Sequence, residues 1–389
     1  MIDTGSERYV RLGLQLGRQV EGVVDAYVGP RELAAEVETA PPVEPRALVA
    51  EADALLDELD DGWLRDQVRG VRTYAGILAG ESLSFADEAE GCYGVRPAYT
   101  DEAVFAAAHE RLEELLPGGG PLTERRERWK NSILVPADRL EHTTAAVIDE
   151  ARAQTLALVD LPAGEGVVLE LVHDEPWLAY NYYLGNLRGR VAVNVDLPMS
   201  AIELLHLAIH ETYPGHQAER SIKEHLLVAG QGMLEESLVL VPTPQSLITE
   251  GIAELAPHVL LDGDGGAAFA AVLAECGFEL DLAHVLAVER AAEPCRWAEV
   301  NAAMMLHEES KSQAEVQEYL QRWGLMSSEL AAHLIRFMND RTSRTYVMTY
   351  PAGHELCGTY VSGDLDRFRR LLTRQVRVRD LLDAASESR

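Results

Sequence analysis

The chain has 389 residues, of which 47% are hydrophobic, so it is long enough to bury a large core and to divide into two lobes. Its formal charge of -30 argues against nucleic acid or an anionic membrane as a partner. Four widely spaced cysteines, Cys92, Cys276, Cys295 and Cys357, contain no Cys-x-x-Cys pair and argue against a disulfide framework or a thiolate zinc site.

Along the first 165 residues apolar side chains recur at three and four, which predicts helices over Glu7 to Tyr27, Arg46 to Leu59, Asp101 to Leu116 and Pro136 to Val159. Proline and glycine clusters at 41–45 and 117–121 break this half into helical hairpins. Residues 1–20 are interrupted by charges and contain no apolar run, so no signal peptide is read, and no stretch is apolar enough to span a bilayer. The expected location is the cytoplasm. From Gly166 the pattern changes. Val167 to His173, Leu178 to Leu184 and Arg190 to Val195 read as strands of a small antiparallel ribbon.

Met199 to Glu211 is nearly all apolar and predicts a buried helix. Its polar exceptions, Glu203, His206 and His210, share one stripe and need partners. The helix runs into His210-Glu211-Thr212-Tyr213-Pro214-Gly215-His216, where two imidazoles flank a carboxylate. Neutral imidazole is a common zinc ligand, and a glutamate beside it can take a proton from an activated water while staying off the metal. In an unbroken helix, however, a residue at i+6 points about 120° away from residue i. Pro214 and Gly215 must therefore break the helix and re-aim His216. His206 and His210, at i and i+4, form a rival pair; otherwise His206 supports a ligand from behind.

A second short helix is expected over Ser246 to Ala256, with Glu250 and Glu254 one turn apart. Helices resume from Ala267, including Glu315 to Trp323 and Ser328 to Met338. A last one, Asp364 to Leu382, carries six arginines read as pairing with the acidic body.

The His-Glu-x-x-Pro-Gly-His heptad, preceded by Val191-Ala192-Val193-Asn194-Val195 and followed by Glu250-Gly251-Ile252-Ala253, resembles the bacterial family known as domain of unknown function 885, grouped with the zincin-like metallopeptidases. The resemblance covers mainly residues 166 to 360. It implies a mainly α, zincin-like fold in which a helical lobe, 1–165, precedes a metal-binding catalytic lobe, 166–389. It implies His210, His216 and Glu250 as ligands of one zinc ion and Glu211 as the base. Helix spacing offers Glu254 or His258, one and two turns along the same face, as substitutes for Glu250. Glu254 otherwise orients a ligand imidazole. Ile252 stands where the family has tryptophan, and Glu254 and Leu255 replace a leucine-tyrosine pair.

This donor set also accepts manganese, iron or cobalt. Tyr346, Tyr350 or His354 would donate a hydrogen bond to the oxyanion, and Arg344 or Arg341 would hold a substrate carboxylate. The ribbon edge near Tyr180 to Leu184 or Arg190 to Val195 would pair with an extended peptide. The expected activity is hydrolysis of a short peptide; the alternatives are a non-peptide amide, or a metal-binding scaffold without turnover.

Overall fold

The computed structural model describes residues 4–175, 177–340 and 343–387. The chain is mainly helical, with two small sheets. Three of the four helices predicted in the first half are found at Pro45–Glu58, Glu102–Leu115 and Ala137–Leu158. The fourth differs. Its helix stops at Gly17, and Val24–Tyr27 forms a strand, β1, although its apolar residues continue the helical spacing. Its antiparallel partner, β5 (Leu238–Leu240), lies more than two hundred residues on, a pairing no local pattern announces.

The predicted ribbon is a three-stranded sheet of β2 (Gly166–Val172), β3 (Ala179–Gly185) and β4 (Arg188–Asn194), in the order β2-β4-β3. It is mixed rather than antiparallel: β4 pairs antiparallel with β3 and parallel with β2. Because β4 is central, Arg190 to Val195 offers no edge to a peptide, whereas β3 does. The β3–β4 turn holds Asn186 and Leu187 at positive φ, and Glu224 accepts hydrogen bonds from both of their amides (3.0 and 3.2 Å). That carboxylate ties the sheet to the chain that follows the histidine motif.

One buried cluster includes Tyr9, Leu16 and Tyr74 as well as Leu205, Leu247 and Phe368, so residues from both sides of Glu165 share a core. The motif helix, Ala201–Glu211, crosses it with Leu204, Leu205, Ala208 and Ile209 buried. Its start is fixed by a capping box: Ser200 Oγ accepts from the Glu203 amide, and the Glu203 carboxylate accepts from the Ser200 amide. Lys130 donates to the other Glu203 oxygen at 2.6 Å. Glu203 is thus engaged at the helix start.

The short helix expected over Ser246 to Ala256 extends over Pro244–Leu261. The last predicted helix is two, Leu365–Thr373 and Val378–Glu387. Several of its arginines do pair with acidic groups, as Arg377 does with Asp66 and Asp61. The four cysteines are free and buried, and no helix among the described residues is long and apolar enough to cross a membrane.

Candidate metal centre

The motif helix ends at Glu211, and a new helix, His216–Lys223, begins after four intervening residues. The peptide between Tyr213 and Pro214 is cis. Gly215 passes so close to the preceding helix that a Cβ there would stand 1.9 Å from the His210 carbonyl oxygen. Only glycine permits that approach. The chain therefore doubles back on itself, and His216 returns to His210 with ring centroids 4.7 Å apart and planes at 89°. The break predicted at Pro214-Gly215 is present, as a complete interruption rather than a kink.

Glu250 arrives from the Pro244–Leu261 helix. At Gly251 a Cβ would meet the Gly353 carbonyl oxygen at 2.4 Å and the Cys357 sulfur at 2.6 Å. A Cβ on Gly353 would in turn lie 2.5 Å from the Leu247 carbonyl. Two helices, Pro244–Leu261 and Thr349–Val361, thus cross backbone against backbone beside Glu250. The Glu-Gly pair couples a carboxylate to the residue that lets the crossing close.

Glu250 Oε2 lies 3.5 Å from His210 Nε2, and Oε1 lies 3.6 Å from His216 Nε2. Donors about 2.1 Å from a tetrahedral ion stand roughly 3.4 Å apart, so these separations fit one shared ion. The electrostatics agree. Burial pushes His210 down to about 4, and His216 well below its ordinary value, so both rings are neutral and able to ligate. Burial likewise pushes Glu211 and Glu250 up to about 8. Glu250 Oε2, which faces His210 Nε2, is buried without a hydrogen-bond partner, an arrangement costly for a carboxyl oxygen unless something else engages it; the unpartnered ring atoms, His210 Nδ1 and His216 Nδ1, lie on the other side of each imidazole.

A cavity of about 350 Å³ opens on these groups. Asp25, Glu211 and Glu250 line it against one guanidinium, Arg220, which is already bound to Asp25. Two carboxyls are left without a counter-charge and so hold their protons when alone; a divalent cation would supply the charge that lets them ionise.

Behind the ligands, His210 Nδ1 faces Glu254 Oε1 at 3.7 Å, and His206 Nε2 faces Glu254 Oε2 at 3.5 Å. His206, His210 and Glu254 are themselves close enough to form the rival donor set. The Arg296 guanidinium binds Glu254, however, and helps hold its carboxyl well below the usual range despite burial. A carboxylate already neutralised by arginine is a poor cation ligand. Glu254 and His206 therefore sit where groups that orient His210 should sit.

Tyr346 Oη donates to Glu250 Oε1 at 2.7 Å, so it fixes that candidate ligand rather than facing open space. Tyr350 lines the cavity, its ring 5.5 Å from that of Tyr346. His354 turns elsewhere. Its Nδ1 lies 2.9 Å from Glu293 and its ring stacks on His258, outside this cavity. Arg344 is likewise not brought to the site, because its Nε donates to buried Glu88 at 2.8 Å and the guanidinium is spent there. Arg341 lies outside the described residues.

Asp25 and Arg220 were not anticipated, and Tyr180 was expected only on a peptide-pairing edge. Tyr180 donates to Asp25, and Asp25 sits on β1, the strand that helical spacing concealed. Arg220 lies one turn beyond His216, which was the available signal.

No family model matches the chain, nor does any curated protein sequence. Two solved structures share its fold. One is described as "the putative lipoprotein from Colwellia psychrerythraea": the identity is 16%, the TM-score 0.55, and the match covers 92% of this chain and 65% of that one. The other is "a putative lipoprotein of unknown function from Shewanella oneidensis", with 12% identity, TM-score 0.55, and coverage of 95% of this chain and 69% of that one. This chain thus spans about two thirds of the length of each. These likenesses correct the cytoplasmic expectation: the proteins that share the fold are described as lipoproteins, a description at odds with that address.

Proposed function

We propose that this chain is a metal-dependent hydrolase of amide bonds that acts on short peptides, with a fold of the zincin-like class that its heptad resembles. The observation that carries the reading is the convergence of His210, His216 and Glu250 beside Glu211 in one cavity. Its donors suit zinc first, and manganese, iron or cobalt after it. A bound divalent ion would supply Lewis-acid polarisation of the scissile carbonyl and of a water.

Glu211 takes the proton from the attacking water and returns it to the leaving nitrogen. A carboxyl raised by burial is suited to both tasks, since it holds a proton more firmly than an exposed one. Tyr350 donates a hydrogen bond to the developing oxyanion, while Tyr346 keeps Glu250 in place. Tyr180, on the free edge of β3, lines the cavity beside Asp25, and an extended peptide pairs along that edge. A cavity of about 350 Å³ admits a few residues of substrate rather than a folded chain.

Glu211→Gln tests the assignment. The variant keeps the metal, measured by elemental analysis, and loses hydrolysis of a library of short peptides by at least about 100-fold, the lower end of what general-base catalysis contributes. An unchanged rate would remove Glu211 from the mechanism. Retention of this base beside the ligands is what separates the reading from a metal-binding scaffold without turnover.

A further inference from the structure

We propose that His258, Glu293 and His354 form a second binding site for a divalent transition-metal ion, separate from the cavity that holds Glu211. The three come from different elements: the Pro244–Leu261 helix, the short turn Glu293–Arg296, and the Thr349–Val361 helix. Their donor atoms lie within 4.8 Å of one another. Glu293 Oε1 is 2.9 Å from His354 Nδ1, and Oε2 is 3.9 Å from His258 Nε2.

The longer separation is informative. At 2.9 Å Glu293 and His354 are within hydrogen-bond distance, a contact an ion would replace, whereas at 3.9 Å His258 and Glu293 are too far apart for a hydrogen bond and close to the roughly 3.4 Å at which two donors of one tetrahedral ion stand. The two imidazoles stack with centroids 4.8 Å apart, and one carboxylate bridges toward both. Two imidazoles and a carboxylate select a zinc-class ion, because calcium and magnesium prefer all-oxygen shells.

The framework is rigid where it matters. Gly353, next to His354, packs on Gly251, two turns before His258, so the backbone crossing that places Glu250 also fixes the distance between the outer histidines. Access is open. Glu293 and His354 line one cavity, and Glu293 and His258 line another. His258 and His354 keep 32% and 15% of their side-chain surface, which leaves room for water at the remaining positions. None of the three lines the cavity of His210 and Glu211. The outer site therefore stands or falls independently of the hydrolase reading.

The test is metal stoichiometry, with the metal-free full chain titrated with Zn²⁺ or Co²⁺ alone and folding checked by circular dichroism. The wild type takes up two equivalents, His216→Ala one, His354→Ala one, and the His216→Ala/His354→Ala double variant none. If His216→Ala binds no ion, or if the double variant still binds one, the outer site is refuted. If His216→Ala fails to fold, the loss of one equivalent from the wild type to His354→Ala carries the test, whatever the inner site holds, and an unchanged stoichiometry there overturns the proposal.

Discussion

Three successive turns of one helix, at Glu250, Glu254 and His258, each contribute to a cluster of two histidines and a glutamate, and the three clusters differ in everything except composition. The first is buried, one of its carboxyl oxygens lacks a partner while the other accepts only from Tyr346, and no arginine among the described residues binds it. The second shares His210 but surrenders its carboxylate to Arg296. The third is half-exposed, flanked by two cavities. Donor identity therefore does not determine which cluster is poised for chemistry; the surrounding charge and solvent do. Only the first combines a carboxyl without an arginine partner with a second glutamate, Glu211, in one cavity.

The sharpest way to break this ordering is to remove one carboxylate from each end. Glu250→Ala should abolish peptide hydrolysis and weaken the inner ion by more than about 100-fold, since loss of a merely supporting group already costs 10- to 100-fold. Glu293→Ala should leave hydrolysis intact. Peptide turnover and calorimetric metal titration distinguish them, and equal losses in both variants would erase the distinction between inner and outer clusters.

The middle cluster predicts a smaller effect. If Glu254 orients His210, Glu254→Gln should weaken the inner ion by about 10- to 100-fold while leaving its stoichiometry unchanged. A lost equivalent would instead make Glu254 a ligand and restore the rival set built on His206 and His210.

How far these clusters could be read from the sequence depends on how local their geometry is. The return of His216 to His210 was legible because Pro214 and Gly215 lie between them and no straight helix satisfies that spacing. Tyr350 and His354 looked equivalent, one turn apart near a Pro-Ala-Gly segment, yet Tyr350 faces the inner cavity and His354 faces Glu293. Nothing within a few residues of either distinguishes them. Arg344 failed as a substrate-holding group for a similar reason: its partner, Glu88, is 256 residues away, and an arginine already paired cannot be recognised from its neighbours. Asp25 was hidden more deeply, because Val24–Tyr27 continues a helical pattern and becomes a strand only by pairing with Leu238–Leu240. Most helix boundaries, by contrast, follow from proline, glycine and capping residues near them.

The shared crossing at Gly251 and Gly353 tests whether inner and outer clusters are mechanically joined. Gly251→Ala places a Cβ 2.4 Å from the Gly353 carbonyl, and overpacking of this kind costs about 1–3 kcal/mol. Chemical denaturation should show that loss, and titration should show both ions weakened together. Weakening of only one would mean that the two clusters are positioned independently.

The smallest effect concerns the cost of burying acid behind Glu254. Burial pushes Glu299 up to about 7, opposed by Arg296, while nearby Glu254 adds to the rise. In the unfolded chain the same carboxyl ionises near its ordinary value, so the folded state holds a proton that the unfolded state releases between about pH 4.5 and 7. Stability associated with Glu299 is thus complete below about pH 4.5 and is lost as pH rises toward 7. Because the side chain also lines a cavity, the loss is discounted to about 2 kcal/mol. Glu299→Gln keeps the shape and removes the ionisation. It should raise the melting temperature at pH 7.5 and leave it nearly unchanged at pH 4.5. A gain of equal size at both pH values would place its origin in packing and detach Glu299 from the charge balance that Arg296 and Glu254 maintain behind His210.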